Sequence, residues 1–162
     1  PQVTLGLGPK SKMNPPLRVI ASGSGQVNAH HKIFRSPGAP VLVLTTERIS
    51  RTRLKNLKAA AHNVKIFGAD EINFKKALAW LQKEWDVKRL LCEGGGQLND
   101  ALFRAAVVDE VNLTVCPLIL GGREAPTLAE GLGFGQLKDA ARFSLKSCRQ
   151  LGNEMFLVYR KA

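Results

Sequence analysis

The stretch Leu90–Phe103, LLCEGGGQLNDALF, is the part of this sequence best suited to chemistry. A short apolar run ends in Glu93, three glycines follow, and a helical face begins at Leu98. Glycines let a backbone come close to a ligand, and the amides of a helix's first turn attract anions. Gly94, Gly95 and Gly96, with the Gln97 and Leu98 amides, therefore suit a pyrophosphate; a tight strand-to-helix turn without a ligand is the plainer reading. Glu93 stands at a strand end, where open α/β sheets bind their ligands. It is a candidate for holding a substrate hydroxyl or amino group.

A second candidate is Ser22-Gly23-Ser24-Gly25, again just past an apolar run. It is not the dinucleotide fingerprint, because Gln26-Val27-Asn28 follows without a third glycine and without a helical pattern. Serine hydroxyls and glycine amides can still form an anion nest, and an ordinary loop fits equally. Thr45 and Thr46 close the run PVLVLTT and precede Arg48, Arg51, Arg53, Lys55 and Lys58. Hydroxyls beside arginines suit a nucleotide phosphate, whereas a threonine there also caps a helix.

These residues need elements to position them. Gln2–Leu7 reads as a strand, as do Leu17–Ala21, Pro40–Thr46 and Asn63–Phe67. The β-branched and leucine run before Thr46 has the look of a strand buried on both faces. A basic helix is expected over 47–61. An amphipathic one is expected over 71–85, where Phe74, Ala77, Leu78, Leu81 and Trp85 recur at helical spacing. Arg89–Cys92 reads as a strand into the glycines, and Leu98, Ala101, Leu102, Ala105 and Ala106 mark the following helix. Val111–Leu120 is a strand interrupted by Pro117, which argues for a bulge or an edge. A glycine-rich loop over 121–135 and a terminal hairpin over 141–149 and 153–160 complete the chain. Alternating strands and helices imply an α/β fold, a mostly parallel central sheet flanked by helices, with a C-terminal antiparallel hairpin.

The 162 residues fit one domain. No apolar run reaches the roughly 20 residues of a membrane span, no signal-like segment opens the chain, and a cytoplasmic location is expected. The chain starts at Pro1, so an upstream start is also expected. Cys92, Cys116 and Cys148 are scattered and read as reduced core thiols; His30, His31 and His62 make no ligand cluster, so no metal is expected. No phosphate loop, zinc-protease, nucleophile-elbow or zinc-deaminase pattern occurs, which leaves cofactor-borne chemistry or simple binding. The net charge is +11. Residues 1–68 hold 11 Lys+Arg against Glu47 alone, net +10, and residues 69–162 hold 13 against 12, net +1. The basic first part calls for an anionic partner.

Over Glu93–Phe134 the sequence resembles the riboflavin-biosynthesis pyrimidine reductases, which share the dihydrofolate-reductase-like fold. The resemblance rests on the acid before the glycine run, Asn99 and Leu102, Asp109-Glu110, Pro117, Gly121-Gly122 and the later glycines. LRVIASGSG, PVLVLTT and the terminal hairpin follow the same family in the same order. The resemblance implies NADPH as hydride donor and a phosphorylated ribosylamino-pyrimidine as acceptor, its ribose reduced to a ribityl chain. It places Gly94, Gly95, Gly96, Gln97 and Leu98 at the cofactor pyrophosphate. Ser22, Gly23, Ser24, Gly25, Thr45 and Thr46 fall at the adenosine end, with a hydroxyl or basic group on the 2′-phosphate, and Glu93 faces the substrate. It also implies a homodimer. A reductase of the same fold with another substrate is the alternative. A basic nucleic-acid-binding module is disfavoured, since aromatics are few and no recognition motif is present.

The family's long segment after its first strand, with a Ser-x-Asp-Gly-Lys motif, has no counterpart. VTLGLGP runs directly into KSKMNPPLRV, and no acid precedes Glu47. Either a segment is missing near residues 8–12, the favoured reading because losing a central strand and helix would ruin the core, or the chain is a shortened, inactive relative.

Overall fold

The computed structural model describes residues 15–162. The expected strand Gln2–Leu7 and the break near residues 8–12 lie outside them. The chain divides into two compact units, one through Ile72 and one from Asn73 onwards.

In the first unit, β1 (Arg18–Ala21), β2 (Val41–Thr45) and β3 (Asn63–Ile66) form a parallel sheet in the order β1-β2-β3. The central β2 is buried at every residue, as its unbroken apolar run predicts. Crossover from β2 to β3 is made by α2 (Arg51–Ala60). Ser50 caps α2 by accepting from the Arg53 amide, so the helix starts later than its charge pattern suggests. Leu57 is the buried contact of α2, clustered with Val43 and Ile49 and flanked by Ile20, Val27, Phe34 and Leu54. A four-residue helix, α1 (Lys32–Arg35), went unpredicted; His31 caps it through Nδ1. His62 accepts the Val41 amide at 3.2 Å, and His30 meets Arg35 Nη2 at 3.0 Å. The histidines are thus local hydrogen-bonding groups, and no cluster of potential metal ligands occurs among the described residues.

In the second unit, α3 (Phe74–Trp85) begins behind the Asn73 cap and buries Phe74, Ala77 and Leu81. It stops where Asp86 turns left-handed, at φ 50°. Next come α4 (Gly96–Arg104) and β4 (Glu110–Val115), then β5 (Phe143–Leu151) and β6 (Glu154–Lys161). The last three pair antiparallel in the order β4-β6-β5. The antiparallel part is therefore larger than a terminal hairpin: β4 joins it, and its alternating exposure is that of a strand with one face covered. Gly152-Asn153 closes the hairpin, and Lys146 is the extra residue of a bulge between Leu145 and Ser147. β4 ends before Pro117. Glu110 opposes Arg160 in the ladder and accepts its Nε at 2.8 Å, which holds the carboxyl below the usual range. Phe103 of α4 meets Phe143 of β5 edge-on at 5.8 Å.

Two expectations are corrected. Arg89–Cys92 forms no strand: the run makes no ladder among the described residues, and Leu91 is 63% exposed. An apolar run becomes a strand only where a partner edge accepts its hydrogen bonds. The cysteines are not all core thiols, since Cys116 and Cys148 are exposed. Cys116 Sγ donates to Glu154 Oε1 at 3.4 Å, and that acceptor raises the thiol above its usual range.

Candidate functional site

The first unit brings its two candidate groups together. Thr45 Oγ1 donates to the Gly23 carbonyl at 3.1 Å and Thr46 Oγ1 donates to the same oxygen at 2.7 Å. Thr46 Oγ1 also accepts the Arg48 amide at 3.2 Å. Both threonines are fully buried. Their hydroxyls thus fix the Ser22–Gly25 turn to the end of β2. Gly25 has φ +63°, and a Cβ there would come within 2.4 Å of Ile49 Cδ1. Only glycine fits that position without displacing core. Arg53 of α2 reaches back over this turn, its Nη1 on the Ser24 carbonyl at 3.4 Å. The guanidinium is exposed and free to meet a further anion. Nothing in the spacing of the arginines singled out Arg53; the crossover geometry did.

The second unit holds the glycine run. Gly95 is the N-cap of α4, no side chain caps the helix, and no acid lies in its first turn. The leading amides of a helix have no acceptor within it, and they carry the positive end of its dipole. A Cβ at Gly95 would meet nothing within 4 Å, so the approach there is open. These features fit a bound diphosphate. Glu93, just before the run, is exposed, and Gln97 is exposed beside the cap.

Two further residues of this unit, Asp100 and Glu130, were not singled out in the sequence, and Asn99 entered there only as part of the family pattern. Asn99 Nδ2 donates to the Leu128 carbonyl at 2.8 Å, and the Glu130 amide donates to the Gly96 carbonyl at 2.9 Å. Asp100, 4% exposed, accepts the Gly133 amide at 3.0 Å and Arg104 Nε at 2.9 Å. Together these bonds strap residues 127–133 along the first turns of α4. The Asp100–Arg104 spacing of four was a readable signal of an ion pair; the strap it holds was not, because that contact is about thirty residues distant in sequence.

Known proteins resemble this chain in sequence and in fold. Residues 1–157 match the RibD C-terminal domain. The chain is 34% identical over 132 residues to the 2,5-diamino-6-ribosylamino-4(3H)-pyrimidinone 5′-phosphate reductase of Aquifex aeolicus, covering 82% of this chain and 58% of that protein. It is 30% identical over 144 residues to the protein of the same name from Methanothermobacter thermautotrophicus, covering 89% of this chain and 65% of that one. The chain thus spans roughly three fifths of these relatives' length. Among solved structures, a pyrimidine reductase-like protein of Corynebacterium diphtheriae superposes with a TM-score of 0.71 at 22% identity, covering 91% of this chain and 61% of that one. A deaminase/reductase of Thermotoga maritima gives 0.64 at 16%, covering 94% and 40%. These structural likenesses carry the fold alone. By its sequence match and its fold, the chain belongs to the RibD C-terminal domain family.

Proposed function

We propose that this chain is an NADPH-dependent reductase that acts on a phosphorylated ribosylamino-pyrimidine in riboflavin biosynthesis, converting the ribose to a ribityl chain. The observation that carries the reading is the uncapped, glycine-led N-terminus of α4 directly after Glu93, in a chain of this family. NADPH, when bound, supplies the hydride; the protein binds, orients and excludes water. In the second unit, Gly94–Gly96 with Gln97 and Leu98 hold the pyrophosphate and Glu93 faces the substrate. In the first, the Ser22–Gly25 turn, backed by Thr45 and Thr46, lines the adenosine end. Arg53 is the basic group for the 2′-phosphate. That assignment gives one of the 11 Lys+Arg of residues 1–68 an anionic partner.

The chain works as a cytoplasmic homodimer in this reading. No helix among the described residues is long and apolar enough to cross a membrane. Leu118, Ile119 and Leu120 are 82%, 99% and 86% exposed beside the antiparallel sheet, and Val115 and Leu145 of that sheet are also exposed. An exposed apolar run of three consecutive residues, Leu118–Leu120, favours a protein partner. The missing segment near residues 8–12 belongs to the same reading; an intact mass well above 17.7 kDa supports it and a mass equal to that value contradicts it.

Mixing the protein with NADPH and the phosphorylated pyrimidine tests the activity. Substrate-dependent loss of NADPH absorbance is expected. Failure to oxidise NADPH despite binding it points to the same fold acting on another substrate.

A further inference from the structure

We propose that Glu130 is an internal competitor for the anion-binding first turn of α4, and so sets the affinity of that turn for a diphosphate. The inference rests on the reading of this turn as the pyrophosphate site. The strap 127–133 is fastened to α4 on both sides of Glu130: Asn99 holds the Leu128 carbonyl at 2.8 Å and Asp100 holds the Gly133 amide at 3.0 Å. Between these ties the Glu130 amide bonds the Gly96 carbonyl at 2.9 Å. Its side chain lies across the space where Gly96 lacks a Cβ; that atom would come within 2.6 Å of Glu130 Cγ and 2.7 Å of Cδ. Cα–Cβ bonds of a helix tilt toward its N-terminus, so the carboxyl group stands at the first turn. Glu130 Oε1 accepts the Thr127 amide at 2.8 Å, which keeps the side chain there.

The electrostatic consequence follows from what else is at this helix end. The first turn of α4 has no acid of its own and no capping side chain. Glu130 supplies the negative charge the dipole favours, from a distant part of the chain. A diphosphate on this first turn would share it with the carboxyl group that lies against Gly96, and the two anions repel. Binding must therefore move the Glu130 side chain away or proceed against it. Either way, removing the charge while keeping the shape should favour the ligand.

Glu130→Gln is the direct variant, because its amide oxygen still accepts from Thr127. Inorganic pyrophosphate and NADPH are titrated into the wild-type protein and into E130Q, at low and moderate salt, with thermal melting of each free protein. Glu130→Ala, which removes the group altogether, guards against a Gln-specific effect. E130Q is expected to bind both ligands roughly 3- to 10-fold tighter, the gain shrinking with salt, while the free variant melts slightly earlier because the helix has lost a favourable charge. Tighter binding in a less stable protein is not the signature of a residue that only holds the strap. If both proteins bind NADPH equally, the inference is overturned and the cofactor reading stands. If E130Q binds NADPH more weakly, Glu130 contacts the cofactor and the inference is likewise overturned. If pyrophosphate binding tightens but NADPH binds neither protein, the inference stands and the cofactor reading falls. If neither ligand binds either protein, both are overturned.

Discussion

Asp100 and Gly133 are joined by a 3.0 Å bond from the Gly133 amide to Asp100 Oδ1, while Oδ2 of the same carboxylate takes Arg104 Nε at 2.9 Å. One buried acid therefore ties a helix to a loop that lies far along the chain. The Arg104 hydrogen bond, opposed by desolvation and helped by the Gly133 and Leu132 amides, holds its carboxyl below the usual carboxylate range. Asp100→Asn keeps the shape but loses the charged bond, and should cost about 1–3 kcal/mol at neutral pH by urea unfolding. The pH dependence has a defined sign. A folded-state value below the unfolded one gives stability that is complete above about pH 4 and is lost as pH falls through the folded value. Wild type should therefore lose its advantage over D100N on acidification. Parallel stability curves for the two across that range would show that the carboxylate is not stabilising.

Gly95→Asp separates stability from binding. Gly95 has φ −73° and ψ 172°, which any residue adopts, and open space where the side chain would go. Aspartate is a preferred N-cap, so the variant should be as stable as wild type or more so, by a few tenths of a kcal/mol. The same carboxylate would sit where the diphosphate is assigned, and NADPH affinity should fall about 10-fold or more. Retained affinity would remove this turn from the cofactor site.

Arg53→Ala should weaken NADPH by roughly 10-fold and leave NADH nearly unchanged, since only the former carries a 2′-phosphate for a guanidinium. Parallel fluorescence titrations with the two dinucleotides read this directly. An equal loss for both would move Arg53 from phosphate recognition to support of the Ser24 carbonyl.

Gly25→Ala should destabilise the first unit by about 1–2 kcal/mol from the left-handed backbone alone. The contact with Ile49 adds to that cost. Chemical denaturation measures the loss, and NADPH affinity should fall with it, because the Thr45 and Thr46 hydroxyls fix this same turn through Gly23.

How much of this was legible in the residues depended on range. β2 was plain, because PVLVLTT is a continuous apolar run and its burial on both faces follows from that. Both long helices were visible in outline, and their true starts lay in the side chains of Ser50 and Asn73 rather than in the periodicity. The glycine run before α4 could be read as an anion site because its chemistry is contiguous. Arg89–Cys92 misled, since a strand is defined by a neighbour that a run of four residues does not contain. The contacts of Asp100 with Gly133, Glu130 with Gly96 and Arg53 with Ser24 were illegible for a related reason: each joins segments about thirty residues apart, and no local pattern encodes that meeting.

Titration of the full chain with NADPH and with NADH, followed by protein and cofactor fluorescence, tests the central claim most directly. Saturable binding of NADPH at about micromolar concentration, with NADH much weaker, is the predicted result. No binding of either dinucleotide would contradict the assignment of this chain as a reductase.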